Sequence, residues 1–126
     1  MRGLLDTSVF IAVEAGRAVA SLPDESAVSV VTLAELHLGV LLAKDGPTRA
    51  LRLRTVSRVE RGLEAIPVDT EVARVFASIV AEARAGGRRP KVMDVWIAAT
   101  AVRQGLTVFT QDADFDDIPQ VQVRRI

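Results

Sequence analysis

The sequence predicts an α/β fold built on a parallel sheet. Two features indicate it: short apolar runs alternate with stretches of helical periodicity, and the runs lack the polar alternation of half-exposed strands. Strands that alternate with helices are typical of parallel sheets with right-handed crossovers. No repeat, linker or low-complexity tract divides the 126 residues, so we expect a single domain over residues 1–126.

Five short apolar runs are the candidate strands. In chain order they are Leu4–Leu5, Ala27–Val31, Leu63–Ile66, Leu106–Phe109 and Val121–Val123. Turn residues separate the runs, as expected where each strand passes into a helix or loop.

Helical periodicity is strongest between the third and fourth strands. The apolar positions from Val72 to Ala83 recur at helical spacing behind Asp69, a suitable N-cap, and Gly86 fits the C-terminal stop. A further helix is predicted to start at Thr32. The stretch Val95–Val102 is apolar nearly all round, which predicts a buried helix.

Composition excludes several kinds of site. The chain has no cysteine and one histidine, so disulfides, thiolate zinc sites, cysteine nucleophiles and zinc sites of several imidazoles are excluded. Sixteen basic residues balance 16 acidic ones, so any contact with nucleic acid must come from local clusters of charge. No apolar run reaches the length of a membrane span. A cysteine-free chain without an export signal predicts a cytoplasmic protein.

Four acids fall where a parallel sheet would gather them. Asp6 and Asp112 follow the first and fourth strand runs, Glu35 comes just after the second, and Asp94 stands at the head of the buried helix. Ligands of such folds bind beyond the carboxyl ends of the strands. The four carboxylates are therefore expected to converge at that edge.

Converging carboxylates would be costly to the fold without a cation. Two charges about 5 Å apart repel by roughly 3 kcal/mol at an effective dielectric near 20. Such repulsion raises pKa values or is relieved by a metal, and oxygen ligands without histidine or cysteine point to Mg²⁺ or Mn²⁺. These ions lower the pKa of a bound water and stabilise the transition state of phosphodiester hydrolysis.

Each acid also has a purely structural explanation. Thr32 and Glu35 have the spacing of a capping box, while Asp6 and Asp94 are suitable N-caps. The acidic residues that follow Thr110 are equally consistent with a solvated turn. The combination of four acids at one sheet edge favours the metal site.

Four segments carry a family resemblance in their order along the chain. They are Leu5-Asp6-Thr7-Ser8-Val9-Phe10-Ile11, Thr32-Leu33-Ala34-Glu35-Leu36, Asp94-Val95-Trp96-Ile97-Ala98-Ala99-Thr100-Ala101 and Thr110-Gln111-Asp112-Ala113-Asp114-Phe115. Together they resemble PIN-domain ribonucleases, specifically the VapC toxins of bacterial toxin–antitoxin pairs. The resemblance spans nearly the whole chain, although residues 42–65 follow no motif of the family.

The resemblance implies a three-layer α/β/α domain around a parallel sheet of four or five strands. It implies an endoribonuclease that depends on Mg²⁺ or Mn²⁺ and hydrolyses structured RNA such as tRNA. Carried over by position, Asp6 and Asp94 are the principal metal ligands, and Glu35 and Asp112 hold the metal or position the attacking water. Four further residues are implied as auxiliary groups: Asp114, Thr7, Ser8 and Thr110.

The resemblance also implies protein partners. Members of the family form homodimers and bind a small VapB-type antitoxin, which often places a basic side chain among the acids of the site. An arginine there would neutralise the carboxylates much as a metal does.

A basic run precedes Asp94. Its members are Arg84, Arg88, Arg89 and Lys91. We expect the run to border the acidic site, with Arg88, Arg89 and Lys91 binding RNA phosphates; the alternative is a solvated loop after a helix. Arg54, Arg58 and Arg61 are interpreted as a solvent-exposed helix face.

Two other functions fit the predicted fold. A noncatalytic RNA-binding module would share it, but the intact set of acids argues against a binding-only role. A phosphoacceptor receiver domain also gathers acids at a strand edge. The pattern typical of such domains, however, has paired acids after the first strand and a lysine after a late strand. Here Thr7 follows Asp6, and no lysine follows Lys91.

Overall fold

A computed structural model describes residues 1–126 as one parallel sheet between two layers of helices. The strands are β1 (Arg2–Leu5), β2 (Glu25–Ser29), β3 (Glu64–Ile66), β4 (Thr107–Thr110) and β5 (Val123–Arg125). The helices are α1 (Thr7–Glu14), α2 (Val30–Leu41), α3 (Gly46–Gly62), α4 (Thr70–Ala85) and α5 (Val92–Gln104), with a short 3-10 helix at Ala113–Asp117. The predicted three-layer α/β/α architecture is confirmed.

The central strand of the sheet is β1. The strand order is β3-β2-β1-β4-β5 and every neighbouring pair is parallel. Leu5 at the end of β1 is paired with Phe109, and Asp6 continues the ladder by donating its backbone N–H to the Phe109 carbonyl at 3.0 Å. Asp6 therefore lies at the middle of the carboxyl edge of the sheet.

Alternate strand residues supply two separate cores. Leu4, Ala27 and Val108 pack in a cluster with Ile79 of α4 and Ile97 of α5. Their neighbours in the strands, Leu5, Val28 and Phe109, point to the other face, where they pack with side chains of α2 and α3, among them Val56 and Val59. This alternation is the period of two that places successive strand side chains on opposite faces.

The boundary between β2 and α2 lies earlier than predicted. The sequence predicted a strand through Val31 and a helix from Thr32, but β2 ends at Ser29 and α2 begins at Val30. Ser29 is the N-cap, and its hydroxyl accepts a 3.1 Å hydrogen bond from the Val31 N–H. The predicted capping box of Thr32 and Glu35 is therefore wrong, because the cap precedes two β-branched residues that mimic a strand.

The last strand also differs from its prediction. β5 spans Val123–Arg125 rather than Val121–Val123. It is an edge strand, so Arg124 and Arg125 can point to solvent and its apolar signal is weak. The other three strands lie within one or two residues of the predicted runs.

The predicted helix signals around α4 and α5 are confirmed. The Asp69 side chain caps α4 by accepting from the Val72 N–H at 2.9 Å, and Gly86 is its C-cap. α5 is buried over most of its length and ends at Gly105, whose φ of 68° lies in the left-handed region that glycine adopts without strain. No helix of the structure is both long and apolar enough to span a bilayer.

Candidate active site

The carboxyl edge of the sheet gathers the four predicted acids. Asp6 follows β1 and caps α1, and Asp112 follows β4 and caps the 3-10 helix. Asp94 lies in the first turn of α5, and Glu35 lies in the second turn of α2 rather than at its start. Carboxylate oxygens of Asp94, Asp112 and Asp114 lie within 4.8 Å of one another. Asp6 and Glu35 are not in this close group, but both are near enough for their charges to raise the pKa of Asp94. The four predicted acids therefore share one edge of the sheet, and Asp94 and Asp112 are the two of them that lie in the close group.

Two hydroxyl groups fix the Asp6 carboxylate. Its Oδ2 atom accepts hydrogen bonds from the Ser8 hydroxyl at 2.7 Å and from the Thr110 hydroxyl at 2.9 Å. Both hydroxyls also accept from the backbone that follows β4: the Gln111 N–H donates to Ser8 and the Asp112 N–H donates to Thr110, each at 2.9 Å. With Oδ2 occupied, Oδ1 is the Asp6 atom that is free of protein partners.

A third hydroxyl fixes Glu35. Thr7 Oγ1 lies 2.6 Å from Glu35 Oε1 and 3.1 Å from the hydroxyl of the buried Thr32. A carboxylate only accepts, so the single proton of Thr7 goes to Glu35, and Thr32 donates to Thr7. This series of hydrogen bonds holds Glu35 in place from the protein interior. It leaves the Oε2 atom of Glu35 available on the cleft side.

Asp94 is the acid of the cluster whose charge is least compensated by the protein. It is only 8% exposed, and its Oδ2 atom is buried without a hydrogen-bond partner. Burial is the largest cause that raises the pKa of Asp94 to about 7; the negative charges of Asp6, Asp112 and Glu35 add to the rise, and the positive charge of Lys91 opposes it. At neutral pH a large share of this carboxyl group is therefore protonated when no cation lies beside it.

One cation of the chain reaches the cluster. Lys91 Nζ lies 2.9 Å from Asp114 Oδ2, and this hydrogen bond, with the charges of Asp112 and Asp94, raises the pKa of the lysine. The Asp114 N–H in turn donates to Asp112 Oδ1 at 2.8 Å. Lys91 is exposed and its pair with Asp114 lies at the rim, so Asp94 remains without a neutralising partner.

The predicted basic run borders the acids in part. A polar pocket of about 280 Å³ has Asp114 in one wall and three members of the run in the others: Arg88, Arg89 and Lys91. Arg84 does not line this pocket and instead borders a smaller cavity beside Val80. The expectation that the whole run borders the acidic site is therefore wrong for Arg84, which is on the last turn of α4 and lies before the bend at Gly87.

A family model supplies the decisive comparison: the model of the PIN domain matches residues 3–121. The chain belongs to the PIN-domain family. Two relatives from Mycobacterium tuberculosis place this PIN domain in the VapC group of ribonucleases. Ribonuclease VapC5 is 46% identical over 129 residues, covering 98% of this chain and 95% of that protein. Ribonuclease VapC4 is 44% identical over 127 residues, covering 97% and 95%.

A solved structure agrees with the assignment. The crystal structure of VapBC-5, a member of the VapBC family of toxin–antitoxin systems from Mycobacterium tuberculosis, contains a chain with the same fold. The TM-score is 0.83 at 41% identity, over 99% of this chain and 97% of that one. The family assignment also removes the receiver-domain alternative; Asp69, the acid that alternative would need, is the cap of α4.

The donor set of this PIN domain suits a hard divalent cation. Asp94 Oδ2 is buried and unpaired, Asp6 Oδ1 is free, and Asp112 and Asp114 offer oxygens close to Asp94. Carboxylate oxygens without nitrogen or sulfur ligands are the environment that Mg²⁺ and Mn²⁺ prefer. An ion there would offset the negative charges of Asp6, Asp112 and Glu35, which contribute to the raised pKa of Asp94.

Two residues that order the site are not predicted from the sequence. The sequence predicts Thr32 only as a cap, whereas its buried hydroxyl contacts Thr7. The backbone N–H of Gln111 holds Ser8 against Asp6, and a main-chain donor leaves no signal in residue type. For Thr32 the available signal is its polarity, since it is the third residue of α2 and follows two valines.

Proposed function

We propose that this PIN domain is a metal-dependent endoribonuclease, the toxin of a toxin–antitoxin pair, which hydrolyses phosphodiester bonds of structured RNA such as tRNA. The observation that carries the proposal is the unpaired, buried Oδ2 of Asp94 among three further acids. A buried carboxylate of raised pKa with no partner is costly to a fold and useful to a metal-dependent enzyme. The VapC relatives, which are named ribonucleases, support the same activity.

Asp6 and Asp94 would hold Mg²⁺ or Mn²⁺ as principal ligands, with Glu35 and Asp112 as the outer acids. When bound, the ion supplies a water of lowered pKa and positive charge for the transition state of hydrolysis. The free Asp6 Oδ1 and Asp94 Oδ2 atoms are the ligand atoms that the hydrogen bonds leave available.

The neighbouring residues position those acids and the RNA. Ser8 and Thr110 hold Asp6 in one orientation, and Thr7 does the same for Glu35. The Glu35 carboxylate is suited to orienting a water molecule by accepting a hydrogen bond from it. Asp114 acts as an auxiliary acid that holds Lys91 at the rim. Three cations beside it would bind RNA phosphates: Arg88, Arg89 and Lys91.

We propose two protein partners, a VapB-type antitoxin and a second copy of this chain. The VapBC-5 structure is of a toxin–antitoxin system, which supports the first. Large apolar side chains of α1 and α2 are exposed, which supports contact with protein on this side of the molecule. The members of this surface are Ile11, Val13, Leu38 and Leu41. We place the activity in the cytoplasm, where cellular RNA is available.

Cleavage of total cellular RNA tests the proposed function. Purified protein is incubated with Mg²⁺, with Mn²⁺ and with chelator, alongside Asp6→Asn and Asp94→Asn. We expect cleavage that requires the metal and is lost in both variants. A matched control is Asp116→Asn, an exposed acid of the same 3-10 helix that pairs with Arg125, does not line the basic pocket and should leave cleavage unchanged.

The outcomes separate the alternatives. Cleavage that survives both substitutions would contradict the assigned acids. A folded protein that binds RNA but cleaves no cellular RNA under any of these metal conditions would favour the noncatalytic RNA-binding module.

A further inference from the structure

The acids are spread along the carboxyl edge of the sheet, from its β2 side to its β4 side. In the strand order β3-β2-β1-β4-β5, Glu35 belongs to the β2 side, Asp6 to the centre, and Asp112 and Asp114 to the β4 side. The pocket of Arg88, Arg89 and Lys91 adjoins only the β4 side, through Asp114. A bound RNA strand must continue past the acids, so the β2 side is where its other half would lie.

A second groove opens on that side. It measures about 210 Å³ and shares Thr7 and Glu35 with the acid cluster. Its other walls include Ile11 and Glu14 of α1 and Arg52 of α3. Arg52 is its only cation.

Arg52 is held in place without a close ion pair. Its Nη1 atom donates a 2.7 Å hydrogen bond to the Gly39 carbonyl of α2, which fixes the half-buried side chain. No carboxylate lies within ion-pair distance of the guanidinium, although Asp45 is near enough for the positive charge of Arg52 to help lower its pKa, and Glu14 and Glu35 line the same groove. The remaining N–H donors of the fork are available for a ligand with oxygen acceptors.

We propose that Arg52 binds a backbone phosphate of the RNA on the Glu35 side of the cleavage site. The RNA strand then runs across the acids with cations at both ends: Arg88, Arg89 and Lys91 at one end and Arg52 at the other. Phosphate suits the guanidinium because the planar fork donates two parallel hydrogen bonds to it. The inference rests on the proposed function and adds to it a binding residue and a path for the strand.

Salt-dependent binding of RNA tests the inference. Fluorescein-labelled bulk tRNA is titrated in Mg²⁺ with Asp94→Asn, which should bind RNA without cutting it, and with the same protein carrying Arg52→Met. We expect about a tenfold loss of affinity, and a plot of log K against log salt that is shallower by about 0.7 to 0.9, the effect of one lost phosphate contact. Arg54→Met is the matched control, because Arg54 is exposed and lies on the opposite side of α3.

A second substitution does not depend on the contact between Arg52 and α2. Glu14→Gln removes a negative charge from the same groove and should tighten binding about twofold to threefold if a phosphate enters there. Affinity and salt slope that are unchanged in Glu14→Gln, or in a folded Arg52→Met, would overturn the inference while leaving the proposed function intact. A parent protein that binds no tRNA would instead sink the proposed function, and the inference with it.

Discussion

The hydroxyl of Thr7, the first residue of α1, donates a 2.6 Å hydrogen bond to Oε1 of Glu35 in the second turn of α2. The two residues belong to the helices that follow β1 and β2, so this contact fixes the two helices relative to each other at the site. Glu35 would otherwise be free to turn away from Asp94, whose negative charge repels it. The hydrogen bond therefore keeps an acid in a cluster that electrostatics would disperse.

Thr7→Val should lower kcat for RNA cleavage about tenfold with little change in KM. A hydrogen bond to a charged group contributes about 1.5 to 3 kcal/mol, and its loss frees Glu35 rather than the RNA contacts. Thr7→Ser keeps the hydroxyl and should retain most of the activity. Steady-state kinetics on a cleaved RNA measures both constants; an equal fall in the two threonine variants would contradict a role for the hydroxyl.

Asp94→Asn should stabilise the metal-free protein at pH 8 but not at pH 4. The pKa of Asp94 rises from 3.8 to about 7 on folding, so the two states bind nearly the same number of protons at pH 4 and below. Between pH 4 and 7 the unfolded state ionises while the folded state keeps its proton, so the free energy of unfolding falls by up to about 4 kcal/mol, and the full loss is present at pH 8. Urea unfolding in chelator measures the gain.

The exposed Asp117→Asn is the control for this pH dependence. Its stability should follow that of the unsubstituted protein at every pH. A stability of Asp94→Asn that is no greater at pH 8 than at pH 4, relative to the unsubstituted protein, would mean that Asp94 ionises without penalty.

Ser8→Ala and Thr110→Val should each weaken the binding of Mn²⁺. Substitution of a residue that orients a metal ligand typically lowers metal affinity about 10- to 100-fold. Both hydroxyls hold Asp6 Oδ2. Thr110→Val also removes the acceptor of the Asp112 N–H, so we expect the larger loss there. Calorimetric titration with Mn²⁺ measures the affinity.

A second threonine of β4 provides the control for metal binding. Thr107 lies at the start of β4, away from the acids, and its hydroxyl contacts only Gln122 at 3.5 Å. Thr107→Val should bind Mn²⁺ as the unsubstituted protein does. If the Thr110 and Thr107 variants behave alike, the hydroxyl of Thr110 does not orient a ligand.

The double substitution Arg88→Gln and Arg89→Gln should weaken RNA binding and flatten its dependence on salt. Each lost phosphate contact lowers the slope of log K against log salt by about 0.7 to 0.9. Arg54→Gln with Arg103→Gln removes the same charge from exposed positions outside the basic pocket. Identical slopes in the two double variants would remove Arg88 and Arg89 from the path of the RNA.

Much of the fold was predictable because its signals are local. Asp69 and Gly86 bracket α4 through caps that depend on residue type, and the all-apolar face of α5 indicates burial without knowledge of its neighbours. The start of α2 was not predictable in this way. Val30 and Val31 favour a strand by propensity, and only the packing of the helix decides that Ser29 is the cap.

The sequence by itself predicted which acids gather at the carboxyl edge of the sheet, since the ends of parallel strands and the starts of the helices that follow them share one edge. Only the tertiary structure decided how they are held. Ser8 and Thr110 are 102 residues apart in the chain, yet they share the carboxylate of Asp6. Arg52 likewise enters the site through a contact between α3 and α2. Burial and distance set these hydrogen bonds and the raised pKa of Asp94, and neither quantity exists until the chain is packed.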